Sequence, residues 1–266
     1  MYDQYNRKLN YLRISVTDRC NLRCVYCMPE EGIKLMQHKD ILSFEDILAV
    51  VKTGVAKGVT KVRLTGGEPL VRRGIVDLVG MIASIKGITD LSMTTNGILL
   101  ALFAKPLKEA GLNRVNISLD TISPSRYKEI TRGGDIRRVF DGIHAAKEAG
   151  LQPVKINCVV FKSSNEPDAR EVAVFCKEND LQIRFIHQMN LQTGEFSIVE
   201  GGKGGDCKNC NRLRLTANGD IKPCLFNEIA FNVKETGVNR AFDMAVMNKP
   251  RVGTKNKSGK FYGIGG

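Results

Sequence analysis

Short apolar runs rich in β-branched residues recur along the first two thirds of the chain, separated by longer stretches with helical periodicity. After Ser43, a predicted N-cap, apolar residues at Phe44, Ile47, Leu48 and Val51 fall on one face of a helix. The runs predict six strands, over residues 11–16, 61–64, 91–94, 114–119, 154–160 and 182–186. Further helices are predicted over residues 75–85, 99–109, 139–148 and 169–178.

Strands that alternate with helices indicate parallel pairing through right-handed crossovers, as in a barrel or an open wound sheet. The expected fold class is therefore α/β, with six units where a complete barrel has eight. In either architecture ligands bind at the carboxyl ends of the strands, so residues that end a strand or open the following loop are the candidates for chemistry.

The alternation stops after Gly194, where the glycine-rich segment 201–205 is expected to act as a connector. We predict one unit over residues 1–194 and a second over residues 195–266. The second unit has few apolar runs and is expected to need a metal centre in order to fold.

The composition is that of a globular protein with an excess of basic residues. Hydrophobic residues make up 42% of the chain and the formal net charge is +12, which favours an anionic partner. Part of the excess lies in an acid-free stretch after Asp243, for which a solvated basic tail is the alternative; its cations are Lys249, Arg251, Lys255, Lys257 and Lys260. A polar start and the lack of an 18-residue apolar run predict no membrane association and a cytoplasmic protein.

Six of the eight cysteines fall in two groups of three, and the remaining two, Cys158 and Cys176, lie in apolar patterns that predict core thiols. The first group, Cys20-x3-Cys24-x2-Cys27, directly follows the first predicted strand. Three thiolates can hold a cubane iron–sulfur cluster and leave its fourth iron open. Zinc is the alternative, although it normally requires a fourth ligand, and His38 lies eleven residues away in a polar loop.

The first cysteine group, with Tyr26 before its last cysteine, resembles the signature of the radical S-adenosylmethionine (SAM) superfamily. The segment Gly66-Gly67-Glu68-Pro69 follows the second predicted strand and resembles the superfamily's segment that binds the methionine end of SAM. The resemblance implies an incomplete (β/α)6 TIM-like barrel of the radical SAM type with a small C-terminal cluster-binding domain. It also implies a [4Fe-4S] cluster whose open iron binds SAM.

The second cysteine group is Cys207-x2-Cys210-x13-Cys224, for which zinc closed by Asp206 or by a distant residue is an equal alternative. Segments 12–20, 211–219 and 223–226 resemble the GTP 3′,8-cyclase family of molybdenum cofactor biosynthesis. That resemblance implies a second [4Fe-4S] cluster and conversion of GTP to 3′,8-cyclo-7,8-dihydroguanosine 5′-triphosphate. The implied partners are GTP, an external one-electron reductant and a downstream cyclic pyranopterin phosphate synthase, with a homodimer as a further candidate.

The same resemblance implies roles for individual residues. The expected metal ligands are the two cysteine groups, and the expected SAM contacts are Tyr26, Gly67, Thr94, Ser118, Lys155 and Met189. The expected GTP contacts are Arg13, Lys61, Arg63, Arg184, Arg212 and Arg214. A catalytic role is implied for Arg13, Arg212 and Arg214, and for a tail formed by Gly265 and Gly266.

The chain departs from the family in one stretch. Only twenty residues separate Ile186 from Cys207, where the family has several dozen more. Directly after Ile186, His187 stands where the family commonly has an acidic residue. The family also commonly has a tryptophan in the missing stretch, whereas this chain has no tryptophan. This departure leaves two alternatives to the cyclase open. One is a radical SAM enzyme that acts on a peptide or another small molecule, and the other is a non-enzymatic basic metal-cluster protein that binds nucleic acid.

Overall fold

Nine strands form one open sheet in the computed structural model, which describes residues 1–190 and 193–256. The strands, in chain order, are β1 (Tyr11–Ser15), β2 (Lys61–Thr65), β3 (Asp90–Thr95), β4 (Arg114–Ser118), β5 (Lys155–Val160), β6 (Gln182–His187), β7 (Arg212–Leu215), β8 (Asp220–Lys222) and β9 (Phe231–Asn232). The order across the sheet is β6-β5-β4-β3-β2-β1-β7-β8-β9. All pairs from β6 to β7 are parallel, whereas β8 and β9 are antiparallel to their neighbours.

Eight α-helices accompany the sheet within the described residues. They are α1 (Phe44–Ala56), α2 (Ile75–Ala83), α3 (Leu100–Glu109), α4 (Pro124–Thr131), α5 (Ile136–Glu148), α6 (Pro167–Glu178), α7 (Val233–Thr236) and α8 (Val238–Met247). The predicted cap of α1 is confirmed as a capping box: Ser43 Oγ accepts from Asp46 N, and Asp46 accepts from Ser43 N. None of these helices is long and apolar enough to cross a membrane.

The predicted α/β class and the six parallel strands are confirmed, with strand ends shifted by one residue at most. Helix α4 escaped the sequence patterns because it carries few apolar positions, and the elements after β6 were not predicted. In α4 only Tyr127 and Thr131 are buried, and its detectable signal is the N-cap Ser123 followed by Pro124. Helix α8 buries Phe242 against Gly54 of α1, which ties the end of the chain to its first helix.

The two faces of the sheet differ in character. Residues paired in register on neighbouring strands point to the same face, so one face carries Leu12, Val62, Leu91, Val115 and Ile156. These side chains are at most 1% exposed and form a continuous core with the helices. The opposite face is polar and basic, and it supplies most of the candidate site.

The segment after Gly194 packs on the same sheet. Strand β7 pairs with β1 in parallel, and the backbone of Glu200 exchanges two 3.1 Å hydrogen bonds with Phe185 of β6. A Cβ on Gly201 would lie 2.6 Å from the carbonyl oxygen of Ile183, so the glycine-rich segment is pressed against β6. The division at residue 194 stays a prediction.

The structure tests the predicted burial of two cysteines and the predicted exposure of the basic stretch after Asp243. Cys158 and Cys176 are buried, as predicted for core thiols. The reading of Lys249 as part of a solvated basic tail is wrong, because its side chain is 1% exposed. Arg251 and Lys255 of the same stretch are exposed.

Candidate active site

The first cysteine trio (Cys20, Cys24 and Cys27) lies in the loop that follows β1. The loop backbone pairs with the glycine segment after β2: Gly67 N donates to Thr17 O and Glu68 N donates to Arg19 O, both at 2.8 Å. A Cβ on Gly67 would lie 2.3 Å from Arg19 O, so only glycine allows this approach. Gly67, predicted as a SAM contact, therefore also has a packing role in placing the trio.

Helix α4 holds the trio loop from the other side. Val25 N donates to Ile130 O at 2.9 Å, and Arg23 N donates to Thr131 O at 3.2 Å. The guanidinium of Arg132, just after the helix, donates at 2.9 Å to the carbonyl oxygens of Arg23 and Met28. The helix that the sequence patterns missed is thus part of the framework of the site.

Glu68 links the glycine segment to the end of β3. Its buried carboxylate accepts from Thr95 Oγ1 at 2.7 Å and from Asn96 N at 2.6 Å. Burial raises the pKa of Glu68 to about 7, although its hydrogen bonds from Asn96, Leu70 and Thr95 act in the opposite direction. The Asn96 side chain in turn donates to Asn21 at 2.8 Å and lies 3.8 Å from Cys20 Sγ.

Tyr26 connects the trio loop to β4 and β5. Its hydroxyl donates to Asp120 Oδ2 at 2.7 Å, and Asp120 Oδ1 accepts from Val159 N at 2.8 Å. A cavity of about 170 Å³ opens beside these groups, lined also by Val25 and Phe161. The contact with Asp120 fixes Tyr26 at the edge of this cavity.

Most of the predicted GTP-binding cations share the polar face of the sheet. Lys155, which is predicted as a SAM contact, lies with them. We call the combined group the cationic face; it consists of Arg13, Arg63, Lys155, Arg184, Arg212 and Arg214. Arg13 of β1 is in register with Arg63 of β2 on one side and with Arg214 of β7 on the other. The Tyr11 ring lies under two of the guanidinium groups, 5.6 Å from that of Arg63 and 5.9 Å from that of Arg212.

The positive charges of the cationic face repel one another in a partly buried environment. Burial, followed by repulsion from Arg214, lowers the pKa of Arg13, and burial with repulsion from Arg212 lowers the pKa of Arg214 to about 10. Burial, then Arg184, Arg114 and Arg63, lower the pKa of Lys155 to about 8. Like charges gathered in a partly desolvated site favour binding of an anion that neutralises them.

Polar atoms on this face also lack partners within the described residues. They include Arg13 Nε, Arg184 Nε and Thr94 Oγ1, all of which are inaccessible to solvent. Buried polar groups without partners are rare in folded proteins and often mark a ligand site. Their position on the basic face agrees with a polar, anionic ligand.

Asn116 is a site residue that the sequence interpretation missed. It lies on β4 in register with Lys155, and with its amide oxygen turned toward the cations it is 3.1 Å from Nη1 of both Arg63 and Arg184. The alternation of polar and apolar residues along the strands was the available signal, since it places Asn116 on the same face as the arginines.

The remaining predicted residues fall around this face. Ser118 ends β4 in register with Asn157, and Lys61 begins β2, where it is exposed. Met189 follows β6 and packs against Leu225 and Phe226. Gly265 and Gly266 lie outside the described residues.

His187, which replaces the acidic residue common in the family, ends β6. Its Nε2 atom is 3.2 Å from a carboxylate oxygen of Glu200. This contact anchors the shortened segment to the sheet.

The second cysteine trio (Cys207, Cys210 and Cys224) is assembled by the pairing of β7 with β8. Cys210 precedes β7 and Cys224 follows β8, and the antiparallel register of Arg214 with Lys222 brings the two together. Burial raises the pKa of Cys210, but Lys249 and Arg212 more than offset this, so the pKa lies below its ordinary value. Asp206, considered as a closing zinc ligand, accepts instead from Asn209 N at 3.3 Å and from Asn209 Nδ2 at 2.8 Å.

The donor sets of both trios suit iron–sulfur clusters. Across residues 1–190 and 193–256, no three His, Cys, Asp or Glu side chains are placed to hold a metal ion, so the fit of the trios rests on the number and chemistry of their thiols. In the first trio, burial and then Asp120 and the other two sulfurs raise the pKa of Cys24 to about 12. Buried, mutually repelling thiols of this kind become thiolates when iron replaces their protons.

Comparison with known proteins gives a consistent family relationship. Residues 14–176 match the model of the radical SAM superfamily. The GTP 3′,8-cyclase of Thermodesulfovibrio yellowstonii is 44% identical over 281 aligned positions, which cover 88% of this chain and 87% of the relative. That of Petrotoga mobilis is 39% identical, covering 94% of each chain. Because the first alignment is longer than this 266-residue chain, the relative carries internal residues that this chain lacks.

Solved structures support the fold. Streptococcus suis SuiB bound to its precursor peptide SuiA superposes with a TM-score of 0.67 at 19% identity; the match covers 89% of this chain and 65% of SuiB. The structure of anSMEcpe with bound AdoMet gives a TM-score of 0.62 at 17% identity, covering 91% of this chain and 81% of anSMEcpe. With the cysteine trios, the glycine segment and the sequence relatives, these comparisons show that the chain belongs to the radical SAM superfamily and, within it, to the GTP 3′,8-cyclase family.

Proposed function

We propose that the chain is a GTP 3′,8-cyclase that converts GTP to 3′,8-cyclo-7,8-dihydroguanosine 5′-triphosphate. The observation that carries this proposal is the cationic face, which lies between the two cysteine trios in a protein of the cyclase family. A triphosphate brings about four negative charges, and guanidinium groups suit its oxygen atoms because they donate in pairs.

Cys20, Cys24 and Cys27 would hold a [4Fe-4S] cluster that binds SAM. When bound, the cluster and SAM would supply the radical chemistry that removes a hydrogen atom from the substrate. The residues of this chain position that chemistry: the Gly67 backbone holds the trio loop, and Tyr26 borders the cavity beside Asp120. Thr94, whose buried hydroxyl lacks a partner among the described residues, and Ser118 are the expected polar contacts on the ends of β3 and β4.

The cationic face would hold the triphosphate. Arg13, Arg63 and Arg184 come from three different strands. The Asn116 amide oxygen lies between Arg63 and Arg184 and accepts a hydrogen bond from each. The sequence resemblance assigns Lys155 to SAM, but its position among arginines favours a contact with the substrate anion. Arg212 and Arg214 extend the face toward the second trio, where Cys207, Cys210 and Cys224 would hold a second cluster beside the guanine.

The decisive experiment is anaerobic reconstitution of the chain with iron and sulfide, followed by incubation with SAM, dithionite and GTP. We expect about eight irons per chain, 5′-deoxyadenosine and cyclised GTP. Replacing Arg63 with methionine should reduce the cyclised product strongly, whereas Arg138→Met, at an exposed arginine on α5, should not. Formation of 5′-deoxyadenosine without cyclised GTP would exclude the cyclase activity while retaining a radical SAM enzyme.

The alternatives are distinguished by the same preparation. A peptide-modifying enzyme predicts 5′-deoxyadenosine formation that depends on a peptide and is indifferent to GTP. A nucleic-acid-binding cluster protein predicts salt-dependent RNA or DNA binding and no 5′-deoxyadenosine. The external reductant, the downstream synthase, the homodimer and the catalytic tail stay predictions of the family resemblance.

A further inference from the structure

Lys249 is a fully buried lysine that the proposed catalytic cycle does not use. It follows α8 directly and is 1% exposed. Its ammonium group donates to the carbonyl oxygens of Arg212 at 2.8 Å and Pro223 at 2.7 Å, and the Cys210 sulfur lies near enough to act on its charge. All three groups lie at the second cysteine trio.

The two carbonyl contacts join separate halves of that trio. Arg212 lies two residues after Cys210, and Pro223 lies directly before Cys224. One ammonium group therefore holds the chain on both sides of the position that the cluster would occupy. The ammonium group has three donors, and two of them meet these carbonyl oxygens.

Arg7 provides an instructive comparison on the same trio. Its guanidinium donates to the carbonyl oxygens of Cys207 at 2.7 Å and Pro250 at 2.7 Å, which supports the third cysteine. Unlike Lys249, Arg7 forms a buried ion pair with Asp3 at 2.7 Å. The Arg7 charge is neutralised locally, so Arg7 can act as a brace without adding a net charge.

Among residues 1–190 and 193–256, no carboxylate forms an ion pair with Lys249. Its ammonium group donates to two carbonyl oxygens, and the nearby charges that act on it are Cys210, Cys224 and Arg7. Burying an ammonium group without an anion is costly. The anion available at this position is the second trio, once its thiolates bind iron.

We propose that Lys249 is a positioning residue of the second trio and that its charge raises the reduction potential of the cluster bound there. The inference rests on the proposed second cluster but does not require GTP to be the substrate. A [4Fe-4S] cluster on three thiolates becomes more negative on reduction, and a buried cation beside the sulfurs stabilises the reduced form. If Lys249 only held the trio in place through its hydrogen bonds, removing its charge would leave the midpoint potential of the cluster unchanged.

The test uses the full chain with the first trio changed to alanine, so that the signals come from the second cluster. Iron content and the midpoint potential from an EPR-monitored redox titration are compared for the parent and for Lys249→Gln, Lys249→Met and Lys249→Arg. The glutamine variant keeps hydrogen-bond donors without charge, and the arginine variant keeps the charge. Lys255→Met is the matched control, because Lys255 is an exposed lysine of the same segment.

We expect the glutamine and methionine variants to disfavour reduction at least tenfold, which is a shift of about 59 mV to lower potential for one electron. The arginine variant should stay close to the parent, and K255M should be indistinguishable from it. An unchanged potential in K249Q or K249M, or an equal shift in K249R, would overturn the proposal.

If both neutral variants fail to retain iron, the arginine variant decides the matter. Iron binding restored at the parent potential supports a requirement for charge, and an iron-free K249R protein overturns the proposal. Neither measurement involves SAM or GTP. A loss of cyclase activity in the complete enzyme therefore cannot be mistaken for a shift in potential.

Discussion

Replacing Gly67 with alanine tests how the first trio is held in place. The added Cβ would lie 2.3 Å from Arg19 O and 2.9 Å from Asp18 O, and the first of these distances is about 1 Å shorter than ordinary contact. The glycine segment and the trio loop would have to separate. The backbone dihedral angles of Gly67 are not in the left-handed region, so the penalty comes from this approach and not from backbone strain.

The magnitude follows from what the separation breaks. Overpacking costs about 1–3 kcal/mol. The two 2.8 Å hydrogen bonds between the loops contribute about 0.5–1.5 kcal/mol each. We therefore expect Gly67→Ala to lower the free energy of unfolding by about 2–6 kcal/mol, a large share of the roughly 5–15 kcal/mol typical of a folded protein.

Denaturant unfolding of the metal-free chain and iron content after anaerobic reconstitution are the two measurements. Gly80→Ala is the matched control, because a Cβ there would meet Ala110 at 4.0 Å in the middle of α2 and should stabilise the helix by about 0.5–1 kcal/mol. The G67A protein should also bind about half of the parent's iron, since the second trio is remote from the change. Parental stability and iron content in G67A would refute this account of the glycine segment.

Three further predictions concern charge, the loop framework and the buried thiols. The pKa of Lys155 is lowered to about 8, so its charge is lost as pH rises through 8 and the affinity for inorganic triphosphate should fall about fivefold between pH 8 and 9. Lys155→Arg should flatten this profile, and an equally steep one would contradict the assignment. Arg132→Ala removes two contacts to the trio loop and should speed the loss of iron from the first cluster to a chelator about tenfold. Arg138→Ala, at an exposed arginine on α5, should leave that rate unchanged. Cys158→Ala and Cys176→Ala should each retain the parental iron content; loss of about four irons from either would identify a missed ligand.

The sequence predicted the fold most successfully where the signals are local. Each of the six parallel strands has its own apolar run in the sequence. Within each cysteine trio, and within the glycine segment, the residues are near one another along the chain. Helix α4 was missed because its surface is largely polar, although the Ser123-Pro124 pair marks its start. The reading of Lys249 as solvated was wrong because a lysine in an acid-free stretch gives no local sign of burial.

The amino-acid sequence by itself determined the α/β class, the family and the residues expected to bind metal, because these depend on short-range patterns and on motifs. The tertiary structure decided which cations act together. Arg13 and Arg214 are 201 positions apart in the chain, yet they are neighbours because β7 adds to the sheet beside β1. The burial of Lys249 and the exposure of Lys255 were decided in the same way, since contacts between distant segments determine which charges water can reach.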